Sequence, residues 1–573
     1  MSAPPITAGR YIGQRVPRKE DGRLLTGRGT FVDDIVVPGM LHAAYIRSPI
    51  ARGKIKSMDL SAARDLPGVR AVLTAEDLGK YNVVLSAYPM VDLGEPRIRP
   101  LSSGYVTYVG DPIAIVVADS RYIAEDAVGL AMVEYEAENP LITIADGEQG
   151  PRVHPTTQSN IASVMKTPEN PELEKAFASA RHVVTTKIKH QRVVQSTMEA
   201  RGVVSNPQGE GELTVYIGCQ STHLASRMIG LAFGIPDSSI RVIAKDVGGG
   251  FGLKAQPWRE EVAAISASML LKRPIKWIED RLEALTSSNP AREQECTIRL
   301  AFDADARLQA LDVDYTCNNG ACPHWPDANG GAMLFFTGPY KVKNYGYKGR
   351  GVYTNTVGLG GYRGPWAIEA LARETALDKA AKQIGIDPIE IRRRNLVSAA
   401  DQPYTSPMGL PLEDVTPIEC LDQLLKVLDV PAFRAEQAAA RAQGRYLGLG
   451  IATYVEPTSM GGMLGLASDM ASVRIEPSGK VTANLSTHSQ GHGTETTQAQ
   501  LIAERLGVPF EDVSIFQDDS TRAGFGPGAA GSRQAVVAGS ASLKATDILV
   551  DKVKRIAAHV LNASPDAVRI ENG

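Results

Sequence analysis

Residues 241–273, RVIAKDVGGGFGLKAQPWREEVAAISASMLLKR, decide how the rest of the chain is read. An apolar run gives way to Gly248, Gly249 and Gly250 in succession. Phe251 and Gly252 close the turn, and a helical pattern follows. Glycine has no Cβ, so such positions admit positive φ and let a ligand lie against the backbone. Amides near a helix start suit phosphates and other acceptors. The order strand, glycine turn, helix, then PIKWIED imitates a dinucleotide-binding unit, but its spacing fails. Counted from Gly248, the pattern G-x-G-x-x-G needs glycine at Leu253; counted from Gly250, it needs glycine at Ala255. No G-K-S/T follows Gly252, so the phosphate loop of nucleotide hydrolases is excluded as well.

Two more glycine clusters lie downstream. KVTANLSTHSQGHGTETTQAQLIAERLG, residues 480–507, reads as another strand–glycine–helix unit. Its turn, Gln490, Gly491, His492, Gly493 and Thr494, offers amide donors, a hydroxyl and a carboxamide that both donates and accepts. A lone His492 there reads more simply as a hydrogen-bonded loop residue than as a metal ligand. GFGPGAAGSRQ, residues 524–534, places Gly531 and Ser532 where a ligand can pass near the backbone. One such loop says little; three in one chain point to a large cofactor held mostly by main chain.

The chain has 573 residues, 43% hydrophobic and 22% charged, with a formal net charge of −3. That length suggests roughly three to four lobes. The charge balance gives no basic surplus for nucleic acid or anionic membranes. Apolar runs such as IAIVVA fall far short of the about 20 residues a spanning helix needs. The start has no apolar core of signal-peptide type, so a cytoplasmic protein is expected. Cys219, Cys296, Cys317, Cys322 and Cys420 form no C-x-x-C pair and are expected to be reduced, buried thiols.

Three blocks emerge. Residues 11–145 include DPIAIVVADSRYIAEDAVGLAMVEYE, which reads strand, helix, strand. Residues 161–400 hold the opening turn and end in ETALDKAAKQIGIDPIEIRRRNL, a helix, a glycine break and a short helix entered through Asp387-Pro388. Residues 417–573 hold the other two glycine loops. Asn572-Gly573 is a hairpin-turn signal without a returning strand, so the third block is expected to be incomplete.

DVGGGFGLK, QGHGTETTQAQ, GYRGPW followed by IDPIEIRRRNL, and the early RLLTGRGTFVDDI together resemble the molybdenum-binding large subunit of the xanthine dehydrogenase, aldehyde oxidase and carbon monoxide dehydrogenase family. The resemblance runs from about Tyr11 to the last residue, with the motifs in family order. It implies an α+β, multidomain fold: an α/β-hammerhead-like domain, then two molybdopterin-binding domains, the second truncated. It implies oxidation of an aldehyde or N-heterocycle with water as oxygen source. The implied cofactor is molybdenum–molybdopterin cytosine dinucleotide, and no protein side chain is expected to ligate the metal. Partner subunits carrying [2Fe–2S] clusters and FAD are implied, in a dimer of heterotrimers.

By the same resemblance Gln220 in YIGCQSTH hydrogen-bonds a ligand of the metal, and Gly249, Gly250, Phe251 and Gly252 form the turn packed over it. Arg363 in GYRGPW is the active-site arginine able to stabilise developing negative charge. Arg392 is either structural or cofactor-facing, unranked against Arg393. Gln490, Gly491, His492, Gly493 and Thr494, with Gly531 and Ser532, are cofactor contacts. Purine-oxidising relatives carry glutamate where this chain has Ala255, which disfavours xanthine. Copper-containing relatives carry cysteine where this chain has Gly364, which disfavours carbon monoxide. The family's glutamate base, in a G-V-G-E segment, has no match. A catalytically incomplete cofactor-binding paralogue is therefore the alternative reading, and a nicotinamide dehydrogenase is the more distant one.

Overall fold

The computed structural model describes residues 9–87, 96–325, 328–364, 366–456 and 468–570. The Asn572-Gly573 turn signal lies outside the described residues. The opening stretch resolves into strand Ile240–Ile243, helix Arg259–Leu271 and strand Ile275–Ile278. The helix begins at Arg259 rather than directly after Gly252, because the chain first turns again from Phe251 to Lys254, with the Leu253 and Ala255 amides bonding back to Gly250 and Gly252. The glycine amides are therefore not a helix N-terminus, which corrects the first reading.

Both strands belong to a seven-stranded sheet in the order Ile240–Ile243, Leu213–Ile217, Gly202–Pro207, Ile275–Ile278, Leu41–Arg47, Pro112–Ala118, Val69–Thr74. Strands of the first and second blocks thus share one sheet, joined where Leu41 and His42 pair in parallel with Ile275 and Lys276. Pro112–Ala118 is buried along its whole length. Its Ile115 and Val117 enter one core and its Val116 and Ala118 another, so an unbroken apolar run is what the position demands. The helix Arg121–Gly129 and strand Met132–Ala137 follow, as the strand–helix–strand reading predicts.

Helix Arg259–Leu271 buries Arg259, Glu260 and Glu261, charges that are tolerable inside only when paired. Arg259 meets Asp111 at 2.9 Å, Glu260 meets Arg47 at 2.8 Å, and Arg201 meets Glu260 and Glu261 at 3.0 and 3.1 Å. Arg47 and Asp111 are first-block residues, so the ion pairs cross the same seam as the sheet.

A five-stranded sheet in the order Ile161–Lys166, Asn344–Val352, Leu308–Asn318, Ala291–Phe302, His182–Val193 completes the second block. Helix Ile368–Ile384 packs on it and stops at Gly385, whose φ of 82° is left-handed. Asp387 caps the next helix, Pro388–Asn395, accepting from the Ile389 amide at 2.7 Å, as its sequence foretells. The third block holds strands Ala471–Ile475, Val481–Leu485 and Val513–Phe516 under helices Thr494–Leu506 and Gly539–Leu561. Residues from the start of the chain reach this block: Tyr11 and Val16 pack on its core. Cys219, Cys296, Cys317 and Cys322 are buried thiols outside any disulfide, as expected, whereas Cys420 is exposed. No helix among the described residues is long and apolar enough to cross a membrane.

Candidate functional site

Gln220 follows strand Leu213–Ile217 and sits beneath the glycine turn. Its Oε1 accepts from the Gly252 amide at 2.7 Å, and its Nε2 donates to the Ala529 carbonyl at 2.8 Å. The Ala529 amide returns a bond to the Gln220 carbonyl at 3.0 Å. One carboxamide thus staples the glycine turn of the second block to the GPGAAG loop of the third. Gly250 must be glycine here, since a Cβ would lie 2.6 Å from Gln220 Cγ. Phe251, with φ 54° and 44% exposed, stands out of the turn with its ring edge-on to Tyr362.

Glu199 holds the other side of the turn, and the sequence offered no warning of it. Its amide donates to the Gly248 carbonyl at 3.1 Å, and its Oε2 accepts from the Gly248 amide at 2.9 Å. The same oxygen meets Lys254 Nζ at 2.8 Å, with the lysine side chain fully buried. Burial pushes the Lys254 pKa below its usual range, and Glu199 pulls it back up.

Arg363 projects from a loop whose Arg363 and Gly364 have φ of 34° and 74°. Its amide donates to the Phe251 carbonyl at 3.1 Å, tying this loop to the glycine turn. Arg292 clamps it from below, donating to the carbonyls of Gly364 and Arg363. Arg292 is held in the left-handed region itself, φ 73°, on an irregular strand. Among the described residues the Arg363 guanidinium has no polar partner, which leaves its charge available.

In the third block, Gly491 and Gly493 have φ of 97° and 78°, and helix Thr494–Leu506 starts immediately after them. Its first amides are already taken. Glu20, only 2% exposed, accepts from the amides of Glu495 and Thr496 at 3.0 and 3.4 Å. A carboxylate from the chain's own start thus occupies the helix N-terminus, where negative charge is stabilised. His492 accepts from the Gln490 amide through Nδ1 and faces Gln534 and Thr494 through Nε2, the loop role its sequence context favoured. Gln490 uses its Nε2 on the His488 carbonyl at 2.9 Å. His488 is buried, and burial pushes its pKa down to about 4.

Two clefts meet here. One of about 560 Å³ is bordered by Arg18, Arg23, Lys245, Gly249 and Gly491, and one of about 810 Å³ by Gln220, Gly252, Trp325, His492, Gly531 and Ser532. Phe251, Tyr362, Arg363 and Gln490 border both. Gly250, Gly493 and Thr494 lie behind these walls rather than on them, and the chain's first segment borders the smaller cleft. Arg392 is elsewhere: it is fully buried, bonded to Glu374 and Asp378 at 2.8 Å each, so its position is that of a structural ion pair. Arg393 meets Asp422 on the surface.

The residues present fit a large fused-ring cofactor with an anionic tail. At Gly491 and Gly531, φ 97° and 58°, a Cβ would meet nothing nearer than 4.0 Å, so bare backbone faces open space. Gln490 and Ser532 add donor and acceptor groups suited to heteroaromatic edges. Arg18 and Arg363 supply positive charge.

A sheet shared between a first lobe and a second, with glycine loops from two lobes around adjoining clefts, defines a cofactor-binding subunit whose ligand is held largely by main chain. Residues 153–396 and 423–573 match models described as molybdopterin cofactor-binding domain. Residues 26–139 match the a/b hammerhead domain of aldehyde oxidase and xanthine dehydrogenase. The chain is 36% identical to the nicotine 6-hydroxylase large subunit of Paenarthrobacter nicotinovorans, covering 100% of this chain and 71% of that one. It is 34% identical to the carbon monoxide dehydrogenase large chain of Hydrogenophaga pseudoflava, over 96% and 72% of the two chains. Crystalline quinoline 2-oxidoreductase from Pseudomonas putida 86 superposes with a TM-score of 0.92 at 36% identity, over 99% of this chain and 74% of that one. The chain belongs to the family of molybdenum hydroxylase large subunits, and is an oxidoreductase of that family.

Proposed function

We propose that this subunit carries molybdenum–molybdopterin cytosine dinucleotide and oxidises an N-heterocycle or aldehyde, with water as the oxygen source. Gln220 carries the reading: it joins both cofactor-binding lobes on the wall of a cleft that Arg363 also lines. A bound molybdopterin supplies the two-electron oxidation and oxygen-transfer chemistry. The chain supplies placement. Gln490, Gly491, Gly531 and Ser532 would hold the pterin by backbone and short side chains, with Gly249, Gly252 and Phe251 closing over it. Arg18 and Arg363 face the anionic tail and the reacting end respectively. Arg363, without a carboxylate partner among the described residues, offsets negative charge that develops on substrate oxygen or nitrogen.

Two positions narrow the substrate. Ala255 is buried against Leu224, Met228 and Trp325, an apolar wall that offers a purine no hydrogen bond. Gly364, at φ 74°, admits no side chain without strain, so a copper-binding cysteine is disfavoured there. The relatives named for nicotine and quinoline, each 36% identical, support an N-heterocycle, and it is Gly364 that sets this chain apart from the carbon monoxide dehydrogenase relative. Electrons would leave through small and medium subunits carrying [2Fe–2S] clusters and FAD, in a cytoplasmic dimer of heterotrimers.

The test is to co-purify the chain with its companions, measure molybdenum and pterin, and follow dye reduction with a panel of N-heterocycles and aldehydes. Stoichiometric molybdenum with heterocycle-dependent reduction is expected. A complex containing neither molybdenum nor pterin rules the reading out.

A further inference from the structure

Resting on that reading, we propose that the larger cleft contains a recognition site for a cationic nitrogen, so that the substrate is an aromatic heterocycle bearing a protonated amine. Glu369 and Glu456 are its anionic groups, and Trp325, Tyr362, Trp366 and Tyr454 border the same cleft. Glu369 is 6% exposed and reaches the cleft wall from helix Ile368–Ile384. Its Oε2 accepts from Arg373, while its Oε1 has no hydrogen-bond partner among the described residues. Glu456 is exposed, and its Oε1 accepts from Ser532 at 3.2 Å.

The charge balance of the walls gives the sign of the guest. Arg533 is committed to Asp469 at 2.7 Å, and Arg373 is divided between Glu369 and Glu374, so among the described residues of the cleft wall Glu456 and the second oxygen of Glu369 stand against Arg363. A protonated amine satisfies a carboxylate and the π faces of the rings together, whereas a carboxylated heterocycle meets repulsion beside Glu369 and Glu456 and is left with Arg363 alone. Neutral heterocycles stack on the rings but leave the carboxylates unpaired.

The groups facing Glu369 are Arg373 and Glu374 on its own helix, Tyr345 on strand Asn344–Val352, and Glu456. Burial, reinforced by Glu374 and Glu456 and opposed by Arg373, pushes the Glu369 pKa up to about 7. The carboxyl therefore gains its charge as pH rises through about 7, and affinity for a cation should rise with it.

The experiment titrates the full chain with three pyridines and reads tryptophan fluorescence, since Trp325 and Trp366 border the cleft. The probes carry an aminomethyl, a methyl or a carboxylate group at the same ring position. The aminomethyl probe should bind about tenfold tighter than the methyl one at pH 7.5, with the carboxylate weakest. The preference should shrink at pH 6. Glu369→Gln and Glu456→Gln should each bring the aminomethyl-to-methyl ratio toward one. Glu456 is exposed, so its variant decides the matter if the other fails to fold. Equal binding of the three probes, or ratios untouched in the folded variants, overturns the proposal. The functional reading fails separately, on the metal and pterin content of the purified complex.

Discussion

Two strand–glycine–helix units in this chain look alike in sequence and differ at the turn. In the first, the amides of Gly248 and Gly252 are spent on Glu199 and Gln220, and the helix waits until Arg259. In the second, the helix starts at Thr494 and its first amides go to Glu20 from the chain's start; the Gln490 and Gly491 amides go to His492 and Ser489 within the turn, and the space over Gly491 stays open to the cleft. The first turn is a rigid wall built by side chains beneath it; the second is an open cradle. Glycine runs indicate that backbone forms a surface, and the side chains that take the amides decide what kind of surface it is.

Removing Glu199 should produce the largest difference between the turns. Glu199→Ala leaves Lys254 buried without its partner, and loss of one member of a buried pair costs about 3–5 kcal/mol. Denaturant unfolding should show that drop, and adding Lys254→Met should recover much of it. Recovery absent from the double variant would mean the turn depends on Glu199 for something besides charge balance.

Gln220→Ala should come next, at about 2–3 kcal/mol for two lost bonds and the groups they leave unpaired. Its loss frees the Gly252 amide, where hydrogen exchange should rise, while the Ala529 amide keeps its bond to the Gln220 backbone carbonyl and should change less. Unchanged exchange at Gly252 would break the picture of a staple. Glu20→Ala, at the second turn, should cost about 1–2 kcal/mol as a lost helix cap. It should raise exchange at Glu495 and Thr496 and leave Gly248 protected.

Acid should separate the turns in the other order. His488 is kept neutral by burial at about 4, below its unfolded value near 6.5. A depressed histidine pKa gives stability that is present above pH 6.5 and lost as pH falls from there toward 4. The loop after His488 should thus loosen first, by an amount a His488→Gln variant removes. The smallest effect is at Gly531: with φ 58° and open space around it, Gly531→Ala should cost only about 1 kcal/mol in stability. Loss of molybdenum well beyond that small change would show that cofactor touches this backbone.

Much of this architecture could be read from local pattern. The apolar run of residues 112–118, the Asp387-Pro388 helix entry and the glycine clusters all act over a few residues, and each appears where its chemistry places it. What escaped was long-range. Glu20, Glu199 and Arg292 serve partners far away in sequence, and nothing next to them marks that duty. Arg392 stands in a run of arginines that leaves a structural and a cofactor-facing role both open, and Glu374 on the preceding helix claims it for the first. The Arg259 helix start was hidden because a glycine turn and a helix signal do not fix the spacer between them.

The parallel pairing of Leu41 with Ile275 also sets an order of events during synthesis. Strand Leu41–Arg47 emerges from the ribosome long before its neighbour exists, and contacts so distant in sequence slow folding. Until residue 278 has been made, the nascent first lobe presents an open sheet edge, an invitation to pair with the wrong chain. A fragment ending before that strand should accordingly aggregate.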